Sequence, residues 1–248
     1  MSGHSKWATI HRKKEKTDAQ RGKIFTKIGR ELAIAVREGG ADPDANSKLR
    51  DAIAKAKAAN MPNDNIARSI KRAAGDGGAT QYEEIIYEGY GPGGVAVIVE
   101  AVTDNRNRTT GEVRHIFDKY GGALGATGCV GWMFDRKGKL IISRENAPAE
   151  DDMMMIALEA GADDFAVEEE YYEITTQPTD FSAVREALEA QNLTFLSAEL
   201  ERIPQNTVAV TQPDMIKVIQ IIMEKFDDQD DVQNYYHNAE LPEEDEDA

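Results

Sequence analysis

The sequence predicts an α+β protein of several domains, in which an N-terminal three-helix bundle precedes two α+β modules. Three observations carry this. Apolar residues recur every three to four positions as far as about Gly75, and the period then shortens to that of strands. The charge changes sign at the same place. Residues 1–75 hold 17 Lys and Arg against 8 Asp and Glu, net +9; residues 76–248 hold 12 against 37, net −25. Between the two halves lies Asp76-Gly77-Gly78, a linker composition.

Residues 1–16 are heavily basic and lack an apolar period, the signature of an arm. From Asp18, an N-cap candidate, Ile24, Ile28, Leu32 and Val36 recur every four residues, and Phe25 and Ala35 widen the stripe. Gly39-Gly40 stops this amphipathic helix. Asn46 caps a second helix that carries Leu49, Ile53 and Ala56 and ends near Asn60. Pro62 suits the first turn of a third, with Ile66 and Ile70 inward and Gly75 after it.

Beyond the linker, residues 82–90 and 95–103 are β-rich runs around Gly91-Pro92-Gly93-Gly94, a hairpin with a wide turn. Val113, Ile116, Phe117 and Tyr120 mark a helix stopped by Gly121-Gly122. Strands are expected at 130–134 and 139–143, and helices at about 149–160 and 181–191, with short strands between the helices. A further strand runs from about Thr194 to Ile203, so 138–203 gives βαββαβ, a split-βαβ pattern. The chain finishes with a strand at 207–211, a helix at 215–226, a strand at 231–236 and an acidic tail from Glu240. Each module is then a small sheet with helices on one face.

Composition narrows the function classes. With 41% apolar and 30% charged residues, the 248-residue chain is an ordinary globular protein. The single Cys129 excludes an intrachain disulfide framework and fits a reducing compartment. No apolar run approaches the ~20 residues of a membrane span, and no apolar segment follows the basic N-terminus as in a secretory signal. The expectation is a cytoplasmic protein with no membrane partner.

The basic head on an acidic protein points to a polyanionic partner. From Lys6 to Arg30, nine of 25 residues are basic and two acidic. Phosphate contact needs density of charge and no particular spacing, so Lys6, Arg12, Lys13, Lys14, Arg21, Lys23 and Lys27 are candidate nucleic-acid-binding residues. Trp7 joins them as a side chain able to stack on a base. The alternative is a solvated helix face with Trp7 packed on the bundle. A secondary cluster, Arg106, Arg108 and Arg114, follows a strand end at Asp104-Asn105. It can clamp a phosphate or a partner carboxylate, or pair internally with Glu100, Glu112 or Asp118.

Signals for chemistry are weak. Gly89 to Gly94 lacks the Gly-Lys-Ser/Thr of a phosphate loop and fits a hairpin turn better. His4, His11, His115 and His237 have no metal-ligand spacing. Cys129 fits a small buried residue, and the acidic runs at 168–170, 227–231 and 243–247 fit solvated surface. No catalytic residue, metal site, cofactor or small-molecule substrate is expected, and the oligomeric state stays open.

Several stretches together resemble the YebC/PmpR family of bacteria and mitochondria: Gly3-His4-Ser5-Lys6-Trp7, Arg21-Gly22-Lys23-Ile24-Phe25-Thr26-Lys27, Gly39-Gly40 with Asp42-Pro43, Asn60-Met61-Pro62, Tyr87 through Gly94, Asp104-Asn105-Arg106-Asn107-Arg108-Thr109, and Tyr236-His237-Asn238. They occur in the family's order along essentially the whole chain. The resemblance implies a basic arm plus helical bundle (1–76), an α+β domain (77–136 and 205–240), a ferredoxin-like domain inserted in it (137–204) and an acidic tail (241–248). It also implies a non-enzymatic DNA-binding transcriptional regulator that docks through its basic N-terminal region. The alternative is a ribosome-associated translational activator that meets ribosomal or transfer RNA, as among mitochondrial relatives. Two departures stand in the arm: His11 is displaced by one position from the family's pattern, and Gln20 stands where Lys is frequent.

Overall fold

The computed structural model describes residues 18–75 and 81–242. In chain order the elements are α1 (Asp18–Gly39), α2 (Ser47–Ala58), α3 (Asn63–Ala74), β1 (Glu83–Tyr90), β2 (Ala96–Thr103), α4 (Arg106–Lys119), β3 (Ala123–Leu124), β4 (Phe134–Ser143), α5 (Glu150–Glu159), β5 (Asp164–Val167), β6 (Tyr171–Thr176), α6 (Phe181–Ala190), β7 (Ser197–Pro204), β8 (Val208–Ala209), α7 (Pro213–Asp228), β9 (Val232–His237) and β10 (Ala239–Glu240). They divide into two compact units, one holding 18–34, 81–135 and 204–242, the other 35–75 and 136–203.

The first unit is built on a sheet in the order β3-β1-β2-β9. β1 and β2 form the expected antiparallel hairpin, closed by a 3-10 turn at Pro92–Gly94, with Tyr90 opposite Ala96. Side chains alternate across the pleat. One face sends Ile85, Tyr87, Val97 and Val99 against Val113 and Phe117 of α4 and Ile222 and Phe226 of α7. The Phe117 and Phe226 rings lie 5.6 Å apart, and burying each contributes about 2–3 kcal/mol. The other face places Ala96, Ile98 and Tyr236 beneath Val130 and Phe134.

The second unit has a sheet in the order β5-β6-β4-β7. Numbered along β4-α5-β5-β6-α6-β7, that is 2-3-1-4, the split-βαβ order of a ferredoxin-like domain. β6 pairs antiparallel with both β4 and β5. Leu140, Ile142, Tyr172 and Ile174 face Met153 and Ala157 of α5 and Phe181, Val184 and Leu188 of α6. Lys139 and Glu173 form a buried ion pair at 2.9 Å within the same sheet.

The helices of 35–75 also sit where apolar spacing places them. Asn46 caps α2, its Oδ1 accepting from the Leu49 amide at 3.0 Å. Its Nδ2 donates to the carbonyls of Ala35 (2.7 Å) and Gly40 (2.8 Å), at the C-terminal end of α1. A Cβ on Gly39 would lie 2.6 Å from Asn46 Cγ, so this stop needs glycine for space. Gly40 takes φ +84°, the left-handed conformation of a helix C-terminus. Arg50 and Asp51 of α2 meet Glu186 (2.8 Å) and Arg185 (3.0 Å) of α6.

Two expectations change. The segment 130–134 is not a strand. Gly131–Met133 is a 3-10 turn, and the strand begins at Phe134 and runs on through Gly138. The cause is Glu88, whose carboxylate gathers the amides of Gly128, Val130 and Gly131 and curls the chain. The strand expected at 207–211 shrinks to β8, which pairs parallel with β10. Among the described residues no helix is long and apolar enough to cross a membrane.

Candidate nucleic-acid interface

Lys6, Trp7, Arg12, Lys13 and Lys14 lie outside the described residues, as do the linker and the acidic run at 243–247. Arg21, Lys23 and Lys27 are on α1, with Arg21 exposed. Lys23, Lys27 and Arg30 stand four and three residues apart, the spacing that aligns side chains on one helix face. That face meets the C-terminal end of α7. Lys23 Nζ reaches Asp228 Oδ1 at 2.9 Å, and Lys27 Nζ donates to the Asp227 carbonyl at 3.2 Å. Cations at a helix C-terminus are favoured by its unpaired carbonyls and dipole. The hydrogen bond between Lys23 and Asp228 raises the ammonium's pKa above its ordinary value and lowers that of the carboxyl.

Arg30 goes deeper. Its guanidinium donates to the carbonyls of Asp230 (2.6 Å) and Val102 (3.1 Å) and to Asp231 Oδ1 (2.6 Å). Asp231 is buried and its other oxygen accepts from Arg108 (2.7 Å), Thr109 (2.7 Å) and Thr103 (3.2 Å). Burial pushes the Asp231 carboxyl up, but the Arg108 and Thr109 hydrogen bonds and the Arg30 charge hold it below its ordinary value. The 227–231 run is thus not simple solvated surface: it ends in a buried carboxylate that two arginines share.

The three arginines of the secondary cluster differ in their surroundings. Arg108 turns toward Asp231 and Asp104, whose hydrogen bonds raise its pKa, and not toward Glu100, Glu112 or Asp118. Arg106 is exposed with Glu83 at 3.8 Å. Arg114 is exposed and has no partner among the described residues. Asn105 caps α4 by accepting from the Arg108 amide at 3.1 Å.

A cleft of about 640 Å³ runs between α4 and the end of α7. Arg108, His115 and Lys119 line one side, Lys225 and Asp228 the other. Because Asp228 holds Lys23, the cleft and the basic face of α1 are neighbours within the first unit. Lys119 and Lys225 line this cleft although nothing in the sequence singles them out. Each stands alone in the last turn of its helix, and only the pairing of the two helices brings them together.

Cys129 is half-buried, and burial pushes its thiol pKa up, away from a reactive thiolate. Among the described residues no group of His, Cys, Asp and Glu has the arrangement of a metal site. The Gly91 to Gly94 segment is a hairpin turn, as its sequence suggests.

Comparison with known proteins accounts for nearly the whole chain. A model described as "TACO1/YebC protein N-terminal domain" matches residues 5–76, and one described as "TACO1/YebC second and third domain" matches 82–239. A "probable transcriptional regulatory protein" of Acetivibrio thermocellus is 63% identical over 238 residues, covering 96% of this chain and 98% of that one. A protein of the same description from Caldicellulosiruptor saccharolyticus is 62% identical over 240 residues, covering 97% and 99%. The crystal structure of a conserved hypothetical protein from Aquifex aeolicus, 45% identical, superposes with a TM-score of 0.85 over 97% of this chain and 98% of that one.

Proposed function

This chain belongs to the TACO1/YebC family, and we propose that it is a non-enzymatic, cytoplasmic regulator that binds nucleic acid through its basic N-terminal region, with DNA as the polymer. The observation that carries this is the charge split: a head of net +9 on a remainder of net −25. The acidic remainder repels bulk polyanion and leaves the head as the docking end. Relatives described as probable transcriptional regulatory proteins support the regulatory role. Lys6, Trp7, Arg12, Lys13, Lys14, Arg21, Lys23 and Lys27 are the proposed contacts. The Lys23–Asp228 pair is exposed, 42% and 63% at the side chains. Such surface pairs contribute at most about 1 kcal/mol, so phosphate can replace Asp228 at little cost.

The test is duplex binding by the full chain across several salt concentrations. Log affinity should fall steeply with log salt, and Arg12→Ala, Lys13→Ala and Lys14→Ala together should flatten that slope. Unaltered binding by the triple variant would remove the arm as anchor.

One feature favours a second reading. Lys23, Lys27 and Arg30 are turned toward protein groups of their own unit, unlike a recognition helix laid in a major groove. Backbone phosphate contact carries no base information and suits RNA equally. On this reading the protein is a ribosome-associated translation factor. Co-sedimentation with ribosomes that survives DNase would establish it over the DNA reading.

A further inference from the structure

Trp132 is the most exposed large apolar side chain among the described residues, at 68%. It is nevertheless fixed. Its indole Nε1 donates to the Cys129 carbonyl at 3.2 Å. Tyr90, 40% exposed, donates its hydroxyl to the same carbonyl oxygen at 3.4 Å. Both rings therefore spend their one strong donor on the same carbonyl oxygen while much of their apolar surface stays exposed.

The loop that holds this atom is itself anchored. Glu88 is 6% exposed, and its Oε1 accepts from the Gly128 amide (2.8 Å). Its Oε2 accepts from Val130 (2.9 Å) and Gly131 (2.6 Å). An exposed aromatic pair tied to one carbonyl of an anchored loop has less side-chain freedom to lose when a ligand arrives. Residues 121–134 contain no charged side chain, in a chain of which 30% is charged and the net is −16. The carboxylate beneath the loop is buried against three amides. Within the segment no carboxylate opposes a phosphate-bearing strand, and the nearest one along the chain, Asp135, accepts a hydrogen bond from Gln205 at 3.0 Å.

We propose that Trp132 and Tyr90 form a stacking platform for an unpaired nucleobase. The rings ask of a ligand only a flat face, which every base has, so stacking here is tolerant of sequence. A base inside a duplex already has both faces covered, so the preferred substrate is a single strand, a loop or a splayed end. The platform would offer single strands contact with the base itself at a place apart from the basic arm and its Trp7. The proposal rests on the nucleic-acid reading above but uses none of the residues assigned to phosphate.

Tryptophan emission tests it with the full chain, a short single-stranded RNA of mixed sequence, and the duplex of that RNA with its complement. The difference between wild type and Trp132→Phe isolates the Trp132 signal from that of Trp7. The single strand should quench Trp132 saturably and the duplex should not. Trp132→Ala should lose about tenfold in single-strand affinity with an unchanged salt slope, since no charge is removed, and Trp132→Phe should keep most of it. Thermal melts serve as the folding control; at 68% exposure Trp132 is not part of the core. If RNA binds while Trp132 emission and Trp132→Ala affinity stay unchanged, the platform faces a protein partner instead and the proposal is wrong, but the nucleic-acid reading stands. Equal quenching by the duplex also overturns it. Failure of both RNAs and of duplex DNA to bind at any salt ends the nucleic-acid reading, and this proposal with it.

Discussion

Arg30 and Asp231, 201 residues apart in the chain, meet at 2.6 Å in the interior of the first unit. The contact fastens the helix of the basic head to the turn before β9. Asp231 also receives Arg108 and Thr109 from the first turns of α4 and Thr103 from the end of β2. One carboxylate thus joins four segments, and it does so with full hydrogen bonding, which a buried charge requires.

Asp231→Ala should therefore destabilise the protein by about 3 kcal/mol, because it strands a part-buried guanidinium. Arg108→Ala should cost less, since that side chain is 42% exposed and water can replace it. Urea unfolding checks both. Equal losses for the two would contradict the shared-carboxylate geometry.

The same group predicts an acid dependence of known sign. Asp231 is held below its ordinary value of 3.8, so the folded state prefers the ionised form. Its stabilisation is complete above the unfolded pKa and is lost as pH falls through the folded one. The stability gap between wild type and Asp231→Asn should stay level from about pH 7 to 5 and close below about pH 4. A gap that widened on acidification would mean the carboxyl is raised instead.

Why Asp231 escaped sequence reasoning is physical. Its neighbours Asp227, Asp228 and Asp230 make the run look solvated, and burial of one member depends on which strands flank it. For Arg108 the sequence leaves a clamp and pairing with Glu100, Glu112 or Asp118 both open, and neither reading names Asp231, 123 residues away. Local signals fared better. The Asn46 cap, the Gly39-Gly40 stop, the β1–β2 hairpin and the elements of the βαββαβ alternation are each written in residues a few positions apart, where spacing and turn chemistry decide. The 130–134 segment misled because its apolar alternation is real, but Glu88, some 40 residues earlier, takes the amides a strand would use.

Lys23 and Lys27 should separate binding from stability. Changing both to Ala should alter unfolding free energy by less than about 1 kcal/mol. It should also lower the log-log salt slope of duplex binding by about 1.8, or 0.9 for each phosphate no longer neutralised. Arg30→Ala should do the reverse, weakening the fold while leaving the slope alone. A slope unchanged by the lysine pair would exclude them from the interface.

At Asn46 one side chain does three jobs, accepting from Leu49 and donating to Ala35 and Gly40. Asn46→Ala should cost about 2–3 kcal/mol, an N-cap plus unsatisfied carbonyls. Asn46→Asp, harmless at most N-caps, should be nearly as costly, because its second oxygen would face two carbonyls at hydrogen-bond distance. Denaturant midpoints of the two variants decide this. Wild-type stability in the Asp variant would mean the donor half of Asn46 is dispensable.

Glu88 gives the sharpest local prediction, because its two oxygens are matched to three backbone amides and nothing smaller or less charged fits that demand. Glu88→Gln keeps the volume but turns one oxygen into an NH₂ that must face an amide N–H. The expected loss is about 2 kcal/mol, the cost of leaving buried donors unmet. The readout that separates this from general destabilisation is hydrogen exchange at Val130 and Gly131. Their amides should lose protection in the variant under conditions where those of β4 and β6 keep theirs. If all fall together, the loop is held by the packing of Val130 and Phe134 on the sheet, and the carboxylate is secondary.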